Sequence, residues 1–143
     1  MKFAYPVFLT PDPDGGFVVS CRDLPEAITQ GETEADAIEN AEGAIQAAIE
    51  FRIEKELEIP APSRMRSGEI LATVPVLTAL KAALFRAVIG KRGAKTALAR
   101  SLGIDEKEVR RMLDPRHATK ATTIEQALAT LGLRPVVSLV KSA

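Results

Sequence analysis

The part of the sequence with the clearest chemical pattern runs from residue 95 to residue 113 (KTALARSLGIDEKEVRRML). Ala99 is small enough for two helices to cross closely, and Gly103, four residues later, can take the positive φ of a tight turn. Asp105 can cap the helix that follows, with Glu108 completing a capping-box pair. Apolar packing would come from Leu98, Leu102, Ile104, Val109 and Met112. The spacing predicts a helix-turn-helix.

The outward face of the second helix would carry mostly cationic side chains. Arg110 and Arg111 can bind guanine O6 and N7 or phosphates, and Lys107 suits a phosphate. Glu106 can accept a hydrogen bond from cytosine N4. A recognition helix presents such a face to the major groove. We therefore predict that this helix reads DNA.

Residues on either side of this helix would contact the DNA backbone. Lys95 and Thr96 begin the preceding helix, and a basic loop (Arg116, His117, Thr119, Lys120) follows the second. The alternative is an ordinary four-helix module with solvated charges, in which His117 is simply exposed. The predicted DNA-binding residues are Lys95, Thr96, Glu106, Lys107, Arg110, Arg111, Arg116, His117 and Lys120.

Catalytic and metal-binding patterns are weak elsewhere in the sequence. One cysteine, Cys21, and one histidine cannot form a zinc site or a Cys/His nucleophile pair within one chain. Asp12 and Asp14 lie in a Pro/Gly-rich turn, where they are expected to form the turn and not to ligate a metal. We predict no enzymatic activity, no metal and no cofactor.

The composition is that of a soluble, globular protein, and its charge is unevenly divided. The chain has 143 residues, of which 46% are hydrophobic and 27% charged. It has no apolar run of about 18 residues and no apparent leader, so we expect no membrane association. A single cysteine excludes an internal disulfide, so we expect the protein in the reducing cytoplasm. Residues 1–76 carry a net charge of −8, and residues 77–143 carry +8. An acidic half suits a basic protein and a basic half suits nucleic acid, although the halves could instead dock on each other.

Hydrophobic periodicity predicts an α+β chain with two domains, residues 1–76 and 77–143. β-Strands are predicted at residues 2–9, 16–22 and 26–30, followed by a helix from Thr33 to about Leu57. Residues 69–74 would add a strand through a right-handed βαβ crossover. Helices are predicted at residues 78–89, 94–102, 106–113 and 124–131. The β-branched tail Pro135–Val140 is a candidate terminal strand that could pair across a dimer axis.

Several of these segments together resemble the HicB family of antitoxins. The similar segments are Tyr5 to Val19 with its Asp-Gly-Gly turn, Asp23-Leu-Pro to Thr33, and Ala35 to Ala41. Residues 93–132 are similar to the XRE-type helix-turn-helix that one branch of the family carries. In order, these motifs cover nearly the whole chain.

The resemblance implies a partial RNase H-like fold for residues 1–76 and a lambda-repressor-like DNA-binding domain after it. It also implies a partner, the small, basic, mRNA-cleaving toxin HicA. An RNase H centre needs a carboxylate on the first strand, and residues 2–9 contain none. We therefore expect a binding scaffold without nuclease activity.

The resulting hypothesis is an antitoxin that neutralises a HicA-type toxin and represses its own operon as a homodimer or homotetramer. One alternative is an XRE-type transcription regulator whose N-terminal domain senses a small ligand, which would need a pocket with convergent polar groups. Another is a metal-dependent nuclease, which would need bound divalent ions.

Overall fold

The computed structural model describes residues 1–141, so Ser142 and Ala143, at the end of the expected 77–143 domain, lie outside the described residues. The fold is α+β, as predicted. Its strands are β1 (Ala4–Pro11), β2 (Phe17–Cys21), β3 (Thr29–Gly31) and β4 (Glu69–Thr73), and its helices are α1 (Glu34–Glu54), α2 (Val76–Val88), α3 (Ala94–Leu102), α4 (Glu106–Leu113) and α5 (Ala121–Thr130).

The four strands form one antiparallel sheet in the order β3-β2-β1-β4. β1 pairs with β2 through Val7↔Cys21 and with β4 through Tyr5↔Ala72. The predicted β1–β2 hairpin is confirmed. In its turn, Asp12 Oδ1 accepts a hydrogen bond from the backbone N–H of Asp14 at 2.9 Å, so Asp12 forms the turn as predicted.

β4 is a strand of this sheet, but the predicted βαβ crossover is wrong. A βαβ unit joins two parallel strands. Helix α1 connects β3 to β4, and these two strands run in opposite directions, because β2 and β4 are both antiparallel to β1 and β3 is antiparallel to β2. Arg22, just after β2, reaches across β1 and donates from Nε to Glu69 Oε1 at 2.7 Å. This contact joins the end of β2 to the start of β4, and the two strands run in the same direction on either side of β1.

Helix α1 provides the apolar face that covers the sheet. Thr33 caps its N-terminus, accepting a hydrogen bond from Asp36 N at 3.1 Å, as the sequence predicted. Its buried stripe comprises Ala37, Ala41, Ile45, Ala48 and Ile49, and the inward sheet residues include Tyr5, Val7, Val19, Cys21 and Ala72. A Cβ at Gly31 would lie 2.3 Å from Ala37 N, so only glycine permits this close approach of β3 to α1.

The described chain divides into two compact units. The sheet unit comprises Met1–Ile49 and Pro60–Pro75 with Lys141, and the helical unit comprises Glu50–Ile59 and Val76–Val140. The last turn of α1 and the residues after it therefore belong to the helical unit. This division differs from the predicted one, which has a single boundary after residue 76.

The candidate strand at Pro135–Val140 does not form within the single chain, and its pairing across a dimer axis stays a prediction. These residues form no strand, and Val136 and Leu139 are 90% and 95% exposed. A strand requires a hydrogen-bonded neighbour, and no described segment pairs with this one. Helix α5 also begins earlier than predicted, at Ala121. No helix within residues 1–141 is long and apolar enough to cross a membrane.

Candidate nucleic-acid interface

Helices α3 and α4 are joined by a tight turn whose geometry follows from three residues. Gly103 ends α3 with φ 66°, a left-handed conformation that favours glycine. Ile104 N donates to Ala99 O at 3.0 Å, which closes the last turn. Asp105 then caps α4 by accepting from Glu108 N at 2.9 Å.

The predicted capping-box pair at the start of α4 forms only in part. Asp105 makes its half of the pair, but the Glu108 carboxylate accepts from Arg111 Nη1 at 2.7 Å. Glu108 is therefore occupied by a side chain one turn later on its own helix.

Buried side chains hold α3 and α4 in place. Leu98, Val109 and Met112 are buried, as predicted, and Ala99 is buried as well. Leu102 and Ile104, which were also predicted to pack here, are half-buried. Helix α3 contacts α4 and α5, and α2 contacts α4 and α5. This packing fixes the orientation of α4, so the direction of its polar face is set by the core of the helical unit.

The opposite face of α4 presents three exposed cations, Lys107, Arg110 and Arg111. Arg110 Nη2 lies 3.7 Å from Glu106 Oε2, and its side chain is 69% exposed. Arg111 pairs with Glu108 at 2.7 Å. Exposed pairs of this kind contribute only about 0.2–1 kcal/mol, so both guanidinium groups can exchange their partners for a ligand.

Thr96 and Glu106, both predicted site residues, contact each other. The Thr96 hydroxyl donates a hydrogen bond to Glu106 Oε1, which joins the start of α3 to the start of α4. The contact orients the Glu106 carboxylate at the N-terminal end of the candidate recognition face.

Two other predicted site residues form ion pairs with the C-terminal end of α1. Lys95 Nζ lies 2.8 Å from Glu56 Oε1, and Arg116 Nε lies 2.9 Å from Glu54 Oε1. The Lys95 ammonium lowers the pKa of Glu56 by hydrogen bonding and charge attraction. Both pairs line a cavity of about 520 Å³ that Arg110 also lines. Sequence reasoning missed Glu54 and Glu56, because their partners are distant in the chain. Lys95 comes 39 positions after Glu56 and Arg116 comes 62 positions after Glu54, and no local pattern links residues so far apart.

The basic loop after α4 is held by a lysine that the sequence analysis also missed. Lys81 of α2 is only 2% exposed and donates from Nζ to the carbonyl oxygens of Asp114 and His117. Burial lowers the pKa of Lys81, while the charges of Asp114 and Glu50 oppose that shift. The available signal was a lone charge inside the apolar run Thr78–Phe85. Arg116, His117 and Lys120 remain exposed around this anchor.

The sheet unit has a surface hollow and one buried cysteine. A hollow of about 430 Å³ is lined by Glu39, Glu42, Gln46 and Thr73, among others, and Thr73 Oγ1 donates to Glu42 Oε1 at 2.8 Å. Within residues 1–141, no three His, Cys, Asp or Glu side chains lie close enough together to hold a metal ion. Burial raises the pKa of the Cys21 thiol, as is typical of an inert structural cysteine.

Comparison with known proteins gives consistent results along the chain. The family described as "HicB_like antitoxin of bacterial toxin-antitoxin system" matches residues 4–83. Antitoxin HicB of Escherichia coli (strain K12) is 41% identical over 90% of this chain and 93% of that protein. Antitoxin HicB 1 of Photorhabdus laumondii is 36% identical over 94% of this chain and 86% of that protein. Antitoxin HicB of Pseudomonas fluorescens (strain Pf0-1) is 29% identical over 97% of this chain and 95% of that protein.

These matches extend well past the sheet unit, and they confirm the family that the strand, turn and helix motifs predicted. Antitoxins of toxin–antitoxin systems act on a toxin partner, so the family implies one for this chain. The chain belongs to the HicB-like family of bacterial antitoxins.

Proposed function

We propose that this antitoxin neutralises a HicA-type mRNA-cleaving toxin with its sheet domain, residues 1–76. In the same proposal, its helical domain, residues 77–143, represses the operon that encodes the pair. The observation that best supports this function is the exposed cationic face of α4. The buried side chains of α4, which pack in the core of the helical unit, fix the orientation of that face. The net charges of −8 and +8 on the two halves support two partners of opposite charge.

In this proposal α3 and α4 act as an XRE-type, lambda-repressor-like helix-turn-helix. Helix α4 enters the major groove, where Arg110 and Arg111 read bases and Lys107 contacts phosphate. Lys95, Thr96, Arg116, His117 and Lys120 contact the DNA backbone on either side. Support comes from the glycine turn, the Asp105 cap and the exposure of the cations on α4.

The DNA-binding form would be a homodimer or a homotetramer on an inverted repeat. The tail Pro135–Val140 exposes Val136, Val137 and Leu139, which favours pairing with the same segment of a second copy. Truncation after Arg134 should lower the molar mass measured by light scattering. The substitution Ser138→Ala is the control that keeps the tail.

Toxin binding would use exposed carboxylates of the sheet unit. Glu32, Glu34, Asp36 and Glu39 are exposed at the start of α1, and Asp14 is exposed in the β1–β2 turn. Such a surface attracts a basic protein and accelerates encounter. The partial RNase H-like sheet serves here as a scaffold that masks the RNA-binding or catalytic surface of the toxin, in the cytoplasm and without a nuclease centre of its own.

DNA binding can be tested with the purified chain and a fluorescent duplex from upstream of its own reading frame. We expect tighter binding to this duplex than to a shuffled sequence, with an affinity that falls steeply as salt rises. Equal affinity for the two duplexes at every salt concentration would contradict the proposed repressor role.

Toxin neutralisation can be tested by co-expression with a HicA-type toxin, whose gene we expect beside this one. We expect the wild-type chain to restore growth and the double variant E34K/E39K to restore it less well. The substitution E125K, on exposed Glu125 of α5, makes a charge change in the helical unit and should leave rescue intact. No rescue by the wild-type chain would refute this part of the proposal.

The alternative of a ligand-sensing transcription regulator has weaker support. The hollow in the sheet unit offers Glu42 and Thr73, but these two side chains already bond each other at 2.8 Å. Operator binding without any rescue of growth would favour this alternative over an antitoxin.

A further inference from the structure

The proposed DNA-binding surface includes two carboxylates that already occupy two of its cations. Glu56 pairs with Lys95 and Glu54 pairs with Arg116. We propose that Glu54 and Glu56 are tethered competitors of DNA phosphate, which set the affinity of the helical unit for DNA. This inference rests on the proposed DNA-binding function.

The backbone at Glu56 is the first line of evidence. α1 ends in a Schellman motif, in which Leu57 N donates to Arg52 O at 2.8 Å and Glu56 N donates to Ile53 O at 3.2 Å. The residue at the centre of this motif takes a left-handed conformation and is usually glycine. Here it is Glu56, with φ 52°, the one non-glycine residue with positive φ within residues 1–141. A side chain at this strained position points to a role for its carboxylate.

The location of the two pairs is the second line of evidence. Both line the same cavity of about 520 Å³, and Arg110 of α4 lines it as well. The Arg116 side chain is 80% exposed and the Lys95 side chain is 41% exposed. A phosphate can therefore reach both cations from solvent, but only in competition with the attached carboxylates.

The competition has a simple physical consequence. A phosphate that binds Lys95 must displace Glu56, and the freed carboxylate then lies beside a polyanion. Each carboxylate therefore weakens binding to any duplex, whatever its sequence. Since exposed ion pairs are weak, removing one carboxylate should tighten DNA binding by about threefold, and removing both by on the order of tenfold.

The substitution Glu56→Gly separates this role from a structural one. Glycine relieves the positive φ and should keep or raise the melting temperature, while the carboxylate is lost. The matched control is Glu58→Gln, which removes a nearby exposed carboxylate of the same segment. Duplex affinity is measured by fluorescence anisotropy at one fixed salt concentration for the wild type, E56G, E54Q/E56G and E58Q.

A double-mutant cycle with Lys95 makes the test specific. We expect E56G to tighten binding more in the wild-type background than in the K95A background, because the competed cation is absent from the latter. Equal effects of E56G and E58Q, or an equal tightening by E56G in the two backgrounds, would overturn the competition. If the wild type binds its operator and E56G binds equally well, only this inference fails. If no variant binds the duplex, the proposed DNA-binding function fails with it.

Discussion

The Nζ atom of Lys81 lies 2.5 Å from the carbonyl oxygen of His117. The same ammonium group donates to the carbonyl of Asp114, so one buried cation bridges both ends of the basic loop that follows α4. The loop positions Arg116 and His117 through its backbone, independently of their own side chains. A residue inside the core thus controls the placement of exposed, predicted DNA contacts.

Replacement of Lys81 by methionine should loosen this loop. The methionine keeps most of the apolar stem but removes both hydrogen bonds to the loop carbonyls. We expect a loss of about 1–3 kcal/mol in the free energy of unfolding, measured by urea denaturation. Amide hydrogen exchange should also become faster within residues 114–120.

The exposed Lys91 provides the control for that change. Lys91→Met removes the same charge from the helical unit without touching the loop, and it should leave both measurements close to wild type. Unchanged exchange in K81M would show that the loop holds its conformation without the ammonium group.

The ion pair between Arg22 and Glu69 predicts a pH-dependent stability. The Arg22 guanidinium, with a hydrogen bond from Arg66 N, lowers the pKa of Glu69 from 4.5 to about 2. A carboxylate whose pKa is lowered by folding stabilises the folded state above its unfolded pKa. That contribution is therefore lost as the pH falls from about 4.5 to about 2.

Melting temperatures of the wild type and Glu69→Gln, measured from pH 7 to pH 2, check this prediction. At pH 7 the wild type should have the higher melting temperature. The difference in melting temperature between the two proteins should narrow below pH 4.5 and close near pH 2. The control is Glu39→Gln, which removes an exposed carboxylate of α1 that takes no part in the ion pair between Arg22 and Glu69. A gap of constant size across the whole range would rule out the assigned role of the ion pair.

Two glycines should respond in opposite directions to the same substitution. Gly43 lies inside α1, and an added Cβ there meets nothing within 4 Å, so Gly43→Ala should stabilise the chain by about 0.5–1 kcal/mol. Gly103 also has free space, but its φ is 66°, so Gly103→Ala should destabilise by about 1–2 kcal/mol. Thermal unfolding of the two variants compares backbone strain directly, and equal shifts would contradict it.

Local patterns in the sequence were sufficient to predict most of the secondary structure. Three of these features depend only on residues close together in the chain: the β1–β2 hairpin, the Thr33 cap of α1, and the bounds of α3 and α4. Gly103 and Asp105 determine the turn between α3 and α4 by their own conformational preferences and hydrogen bonds. Such features need no knowledge of distant contacts.

Features that depend on distant contacts were missed. The direction of β4 depends on its pairing with β1, which joins residues far apart in the chain, such as Phe8 and Glu69, and the accompanying contact between Arg22 and Glu69 spans 47 positions. The burial of Lys81 depends on carbonyls more than 30 positions later. The pairing of Glu54 and Glu56 with Arg116 and Lys95 brings the end of α1 to the predicted site, and no local periodicity encodes it.

The cations of α4 should separate into two functional classes. If Arg110 and Arg111 read bases, replacing either by alanine should cost about 1–3 kcal/mol of operator binding and relax the preference for operator over shuffled DNA. Lys107→Ala should instead weaken binding to both duplexes equally and reduce the salt slope by about 1.

Arg110 and Arg111 each lie beside a carboxylate of α4, Glu106 and Glu108 respectively, in weak exposed pairs that DNA can displace, and Lys107 is exposed. Binding isotherms on operator and shuffled duplexes at several salt concentrations distinguish the two classes. If both arginine variants keep the wild-type preference for the operator, the base-reading face lies elsewhere on the helical unit.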